Sequence, residues 1–215
     1  MFRHPFQSTQ LPPFDGADGV LRIATYNIHK GVRGLGPAKR LEIHNIGNGV
    51  RALEADLLFL QEVRAFNHRE ARKFDHSRFG WPSEGQADFL APDGYEVAYR
   101  TNAYTRGGEH GNALLSRWPI GDVGHHDVSD HRFEQRGLLH VPVQWNGITV
   151  HAVAAHFGLM HASRLRQAER LAAFIEQHVP QGAPLVVAGD FNDWGERLDV
   201  PMHACGLLRA QARRG

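Results

Sequence analysis

Pro184-Leu185-Val186-Val187-Ala188-Gly189-Asp190-Phe191-Asn192-Asp193 is the stretch on which the fold turns. Its first half is apolar without alternation, the pattern of a strand buried on both faces. It then runs directly into Asp190, Asn192 and Asp193. A carboxylate buried without a partner costs several kcal/mol, so a core strand ending this way must lead to a polar cluster or a wet cleft.

Working outward, Ala162 to Val179 reads as a helix, with Leu165, Ala168, Leu171, Ala172, Ile175 and Val179 at helical spacing and Pro180 as its stop. Arg164, Arg166 and Arg170 fall on the face expected to be wet. Further back, Gly137 to Trp145 and Ile148 to Ala154 flank Asn146-Gly147, a strong type I′ hairpin signal. Pro142 lacks a donor and predicts an edge strand or a bulge there. Asp56 to Val63 is a second continuous apolar strand, and Val20 to Tyr26 a third. A helix is expected over Ala38 to Ala55 and a shorter one over Ser83 to Leu90. Tyr95 to Tyr99 and Asn112 to Ser116 read as strands, and another begins at Ile120. The polar stretches Thr101 to Gly111 and Gly124 to Arg136 read as loops that shape a pocket. Residues 1–19 read as a loosely ordered arm, and 20–215 as one mixed α/β domain of sheets covered by helices.

Composition narrows the function classes. The 215 residues carry 24 Lys plus Arg against 23 Asp plus Glu, a net charge of +1, so no global basic field would drive binding to nucleic acid or anionic membrane. One cysteine, Cys205, excludes an internal disulfide framework and reads as a small buried apolar residue. No stretch has the length of a transmembrane segment or signal-peptide core, so a cytoplasmic location is the expectation. Nothing points to an obligate protein partner.

Four strands end in polar side chains: Asn27, Glu62, His156, and the pair Asp190 and Asn192. Taken singly, each has a plainer reading as a cap, an exposed strand end or a satisfied core histidine. Together they offer two carboxylates, two amides and an imidazole, without a cysteine or lysine nucleophile. That set suits a hard, oxygen-ligated cation such as Mg²⁺, whose shell is completed by water and substrate phosphate.

These residues also resemble a known family. Ala24-Thr25-Tyr26-Asn27-Ile28-His29, Leu58-Phe59-Leu60-Gln61-Glu62-Val63, Gly111-Asn112-Ala113-Leu114-Leu115-Ser116, Val153-Ala154-Ala155-His156-Phe157 and Gly189-Asp190-Phe191-Asn192 match, in order, motifs of the endonuclease/exonuclease/phosphatase superfamily, which includes deoxyribonuclease I. The resemblance implies a two-sheet β-sandwich flanked by helices, with the site at one end. It implies Glu62 as principal Mg²⁺ ligand assisted by Asn27, and Asp190 as the group that activates water. Asn192 would hold a non-bridging phosphoryl oxygen, and His156 would stabilise its developing charge. Asn112 and Arg136 are further substrate-binding candidates. The implied activity is hydrolysis of a phosphate ester, expected to be a diester; the substrate is a lipid headgroup, a small diester or nucleic acid. No concentrated Lys/Arg run with interleaved aromatics is visible, which tilts this toward a lipid headgroup or small diester.

The chain departs from the family pattern twice. His29 stands where some repair endonucleases carry Asp. It either binds phosphate or metal, favouring Mn²⁺ slightly, or supports the site from a loop. The family also ends in a late strand with an adjacent Asp-His pair, whereas this chain stops at Gly215. Ser129-Asp130-His131 has the right letters, but in the wrong chain order. One or two terminal strands are therefore expected to be lacking, with reduced activity and stability. The alternative is a non-catalytic binding or scaffold domain of the same fold. His125, His126 and His131 read as a solvated loop rather than a second metal site.

Overall fold

The computed structural model describes residues 19–210. The expected N-terminal arm lies outside them except for Gly19, as does the stretch 211–215. The described chain forms two four-stranded sheets packed face to face and flanked by helices, as expected.

The first sheet contains β1 (Ile23–Asn27), β4 (Leu57–Val63), β5 (Glu96–Thr105) and β6 (Gly108–Ser116), in the order β1-β4-β6-β5. The second contains β7 (Gly124–Asp127), β8 (Gly137–Trp145), β9 (Ile148–His156) and β10 (Leu185–Asp190), in the order β10-β9-β8-β7. A small ribbon pairs β2 (Val32–Arg33) with β3 (Arg40–Leu41). The helices are α1 (Ile43–Ala52), α2 (His68–Lys73), α3 (His76–Phe79), α4 (Gln86–Leu90), α5 (His161–His178) and α6 (Asp199–Ala204).

The unbroken apolar run of β4 has a physical cause. Leu58 and Leu60 pack against Ile43, Ile46 and Val50 of α1 and Leu90 of α4, while Leu57 and Phe59 face the second sheet. In the same way β9 sends Ala152 and Ala154 between the sheets, and Val153 and Ala155 under α5. Asn146 and Gly147 both have positive φ, 48° and 78°, as the hairpin signal requires.

Several expectations are corrected. The helix expected over Ala38 to Ala55 is shorter, because Gly36–Ala38 closes a 3₁₀ turn and Arg40–Leu41 pairs as β3. Only α4 forms within Ser83 to Leu90, and α2 and α3 precede it, capped by the Asn67 and Asp75 side chains. The stretch 101–111 is largely hairpin, since β5 and β6 stay paired to Thr105 and Gly108. Pro142 lies within the internal strand β8, but at a point where β7 has already ended; its carbonyl accepts from the Gly121 N–H at 2.8 Å. Arg164 is buried rather than wet, donating to Leu159 O at 2.6 Å.

His125 and His126 belong to β7, not to a loop. The His126 ring lies 4.4 Å from that of His178 on α5, and Phe174 contacts both. Beside them, His140 Nε2 and His151 Nδ1 are 2.9 Å apart. Burial is the first cause that pushes His126, His140 and His151 below the ordinary imidazole range, His140 to about 4. These rings serve as neutral packing groups. Their folded-state pKa lies below the unfolded value of about 6.5, so the unfolded chain binds more protons between the two. Stability is then complete above about pH 6.5 and is lost as pH falls toward 4. The expected result is a melting temperature, followed by circular dichroism, that drops across that window, with a shallower drop in His140→Gln. A flat profile would contradict neutral packed imidazoles.

Among the described residues, β1 and β10 end their sheets. β10 is half-buried along its length, and a groove of about 1400 Å³ lies beside it, lined by Ile23, Val187, Leu198 and Leu207 among others.

Candidate active site

Two parallel strand pairs set the site. β1 runs alongside β4, with Asn27 opposite Gln61, and β9 runs alongside β10, with His156 opposite Asp190. All four carry their polar residue at or near the C-terminal end, so the residues meet at one end of the sandwich. Gly189 makes the close approach possible. A Cβ there would lie 1.8 Å from the Ala155 carbonyl oxygen, so any larger residue would push Asp190 away from His156.

The register of β4 against β6 shifts between Leu60 and Val63, and within that bulge Glu62 adopts φ 57°. A bulge re-aims a side chain. His29, Lys30 and Asn192 also have positive φ, 47°, 64° and 51°. Four non-glycine residues in the left-handed region around one site are strain retained locally, the pattern of a functional constellation.

The side chains converge across the two sheets. Asn27 Nδ2 donates to Asp190 Oδ2 at 2.9 Å, while Asn27 Oδ1 accepts the His29 N–H at 3.0 Å. Asp190 Oδ1 accepts the Asn192 N–H at 3.0 Å, and His156 Nε2 lies 3.9 Å from Asp190 Oδ2. Asn192 Nδ2 donates to Phe157 O at 2.9 Å, which fixes the amide beside the carboxylate. Glu62 Oε2 accepts from Lys30 Nζ at 2.7 Å, and the exposed His29 ring stands 4.0 Å from the same oxygen.

The electrostatics follow from this crowding. Burial would raise the Glu62 carboxyl, but the hydrogen bond and charge of Lys30, with His156 and His29, outweigh it and hold Glu62 low. His156 is pushed down to about 4, first by burial and then by the Arg136 charge, against the opposing pull of Glu62 and Asp190. At neutral pH it is an uncharged imidazole that can donate one N–H. Arg136 is itself largely buried, paired with Glu134 at 3.0 Å, and its charge reaches Glu62, Asp190 and His156.

Asn27, Glu62, His156, Asp190, Asn192, His29 and Arg136 are thus brought together. Asn112 is not presented to a ligand. It is fully buried, and Nδ2 donates to Gly137 O and Ala154 O at 2.9 and 3.2 Å, so it braces one sheet against the other. Asp130 is held by Ser163 and by Nε and Nη2 of Arg166, which ties its loop to α5 and leaves it no catalytic pairing with His131. Sequence reasoning missed Lys30, whose neighbour His29 drew attention, and His110, a half-buried imidazole lowered to about 4 by burial and then by the Lys30 charge. The one sequence signal for Lys30 is its place in the loop that directly follows Asn27.

The donors here suit a divalent cation. Glu62 already binds one positive group, the Lys30 ammonium, and Glu62 and Asn27 present the oxygen donors that Mg²⁺ or Mn²⁺ accepts. Among the described residues no three His, Cys, Asp or Glu side chains form a ready-made cage. One carboxylate supplemented by water and phosphate oxygen is the pattern such ions use at phosphate sites.

The comparisons with known proteins agree with this architecture. A sequence profile described as Endonuclease/Exonuclease/phosphatase family matches residues 24–212. The uncharacterized protein YbhP of Escherichia coli K12 is 34% identical over 184 residues, covering 84% of this chain and 70% of that one. Sphingomyelinase C from Streptomyces griseocarneus superposes with a TM-score of 0.61 at 22% identity, covering 88% of this chain and 70% of that one. An endonuclease/exonuclease/phosphatase from Beutenbergia cavernae gives 0.53 at 22% identity over 80% of this chain, which spans only 47% of that structure.

Proposed function

Because the chain belongs to the Endonuclease/Exonuclease/phosphatase family, we propose that it is a metal-assisted hydrolase of phosphate diesters. The observation that carries the reading is the bond from Asn27 to Asp190, which joins the two sheets at the point where His156 and Asn192 also arrive. Family membership supports phosphate-ester chemistry, and the similarity to a sphingomyelinase supports a diester. A diester carries one negative charge and seats beside two carboxylates more easily than the two charges of a monoester.

In this reading Asp190 is the general base. Its carboxylate is fixed by Asn27 and Asn192, so it takes a proton from a water without reorienting. Neutral His156 donates its N–H to a phosphoryl oxygen, and the free hydrogen of the Asn192 amide does the same. Arg136 adds a fixed positive charge from a water-poor position. Glu62 and Asn27 would hold the divalent cation, which when bound would neutralise phosphate charge and lower the barrier to attack; as the bond from water to phosphorus forms, the ester P–O bond breaks and the departing alkoxide takes a proton from solvent.

The non-catalytic reading has one observation in its favour: Lys30 occupies the Glu62 carboxylate. The deciding experiment is hydrolysis of bis(p-nitrophenyl) phosphate with Mg²⁺, with Mn²⁺ and with excess EDTA. Turnover that needs either ion and stops with EDTA supports the enzyme. No turnover under any condition, with the protein folded, overturns it.

A further inference from the structure

The chain leaves apolar side chains in water, and their placement is uneven. Eight large ones among the described residues are 66% exposed or more: Leu35, Tyr104, Phe133, Leu159, Met160 and Trp194, and then Val200 and Leu208. The first six sit on five separate segments, after β2, near the end of β5, after β7, after β9 and after β10.

The topology puts the four sheet segments at one end, and the bond from Lys73 Nζ to Gly36 O ties the turn after β2 to α2, which follows β4 there. β5 is antiparallel to β6, which is antiparallel to β4, so β5 finishes where β4 does. By the same logic β7 finishes where β9 does. The Asn27 to Asp190 bond shows that these ends of the two sheets coincide. At the opposite end Val20, Leu53 and Ile148 are 52%, 47% and 48% exposed, below every member of the first six, while Val200 and Leu208 lie on and after α6, outside the rim. Isolated exposed apolar residues are ordinary, but a set whose most exposed members gather around one polar site is a docking feature.

An arginine accompanies most of the set. Arg33, Arg106, Arg132 and Arg197 are exposed and lie within three positions of Leu35, Tyr104, Phe133 and Trp194. The Arg132 guanidinium rests over the Phe133 ring, 4.7 Å from its centroid. Acidic side chains on the same loops are engaged, Glu134 with Arg136 and Glu196 with Arg209. Apolar groups that enter an interface beside cations that meet phosphate match a phospholipid surface. Nucleic acid fits less well, because Leu35, Leu159 and Met160 have no flat face to stack on bases and the arginines form no continuous track.

We propose that this rim docks the protein on a phospholipid surface and aims the site that holds Glu62 and Asp190 at headgroup phosphodiesters. The proposal rests on the phosphodiester reading for its substrate, but the docking surface can be tested without it. Trp194, 94% exposed, is a built-in reporter. Vesicles of phosphatidylcholine with roughly a third phosphatidylglycerol are expected to shift its emission to the blue and to sediment the protein. The triple variant Phe133→Ser, Met160→Ser, Trp194→Ser, which keeps its circular dichroism spectrum, is expected to lose binding by about tenfold per side chain removed. It keeps its rate on soluble bis(p-nitrophenyl) phosphate. Glu62→Gln binds vesicles as the wild type does.

No vesicle binding by the wild type, or undiminished binding by the triple variant, overturns the proposal. So does rim-dependent binding of a single-stranded oligonucleotide, or rim-dependent dimerisation in sedimentation, without vesicle binding. Vesicle binding with no hydrolysis of any diester leaves the docking surface standing and overturns the enzymatic reading. Soluble hydrolysis without vesicle binding does the reverse.

Discussion

Glu62→Gln is expected to lower metal-dependent diester hydrolysis by at least about a thousandfold, the scale seen when a principal electrostatic element of a phosphoryl-transfer site is removed. The substitution preserves shape and keeps one oxygen, so it isolates the charge. In the folded protein that charge does two things. It holds the Lys30 ammonium at 2.7 Å, and in the proposed reading it would supply the anionic oxygen that a dication needs. Glutamine can accept from Lys30 but cannot neutralise it. An incoming Mg²⁺ would then face an uncompensated ammonium with only a neutral amide to offset it. Calorimetry should therefore show Mn²⁺ affinity lost along with activity, while thermal stability changes little. Glu62 sits in a bulge with positive φ, and the hydrogen bond its carboxylate accepts comes from a side chain, Lys30 Nζ, which a glutamine oxygen can still accept. Loss of activity with unchanged metal affinity would place the cation elsewhere and remove Glu62 from its role.

The parts of the fold visible in the sequence are those in which burial dictates residue type. β4 and β10 announce themselves because strands covered on both faces must be apolar throughout, and α5 because one face of a long helix must be. Other elements hide for physical reasons. His126 on β7 packs as an aromatic ring against Phe174 and His178, so a core contact is written in a polar letter. The outer half of the β5–β6 hairpin reaches past the core and carries solvent-facing residues. α2 and α3 are too short to show periodicity; they are set by the caps Asn67 and Asp75 and by the left-handed stop at Gly80.

The site is legible to a similar depth. Polar residues at strand ends name Asn27, Glu62, His156 and Asp190, because a buried strand cannot end in a carboxylate without a reason. What they do to one another is invisible. Asn27 and Asp190 are 163 positions apart, and only the packing of the two sheets brings them to 2.9 Å. The left-handed backbone of Glu62, Lys30 and Asn192 has no signature in residue type, and it decides where those side chains point. Asn112 shows the opposite error. An amide next to family-like letters reads as a ligand contact, and the structure uses it to join β6 to β8 and β9.

Asp190→Asn tests the chemistry most directly, and its expected effect on kcat is about a thousandfold or more, with Mn²⁺ affinity altered far less than in Glu62→Gln. The carboxylate receives hydrogen bonds from Asn27 Nδ2 and the Asn192 N–H and faces His156 Nε2 at 3.9 Å. An amide placed there must turn one NH₂ toward something. Turned toward Oδ2, it meets the Asn27 NH₂, and two donors face each other. Turned toward Oδ1, it meets the Asn192 N–H with the same result. Either way one bond of the network is lost, at roughly 1–3 kcal/mol for the group left unsatisfied. The base is lost in both orientations. The resulting split is diagnostic. A general base acts in the transition state, so kcat falls while KM moves little. A merely structural role would lower stability and leave the rate of the remaining folded protein close to wild type. Pairing the variant with Asn27→Asp, which restores a carboxylate on the other side of the same hydrogen bond, is expected to recover the melting temperature without recovering kcat. Recovery of both would mean that the site needs a negative charge at this junction and not a base held on β10.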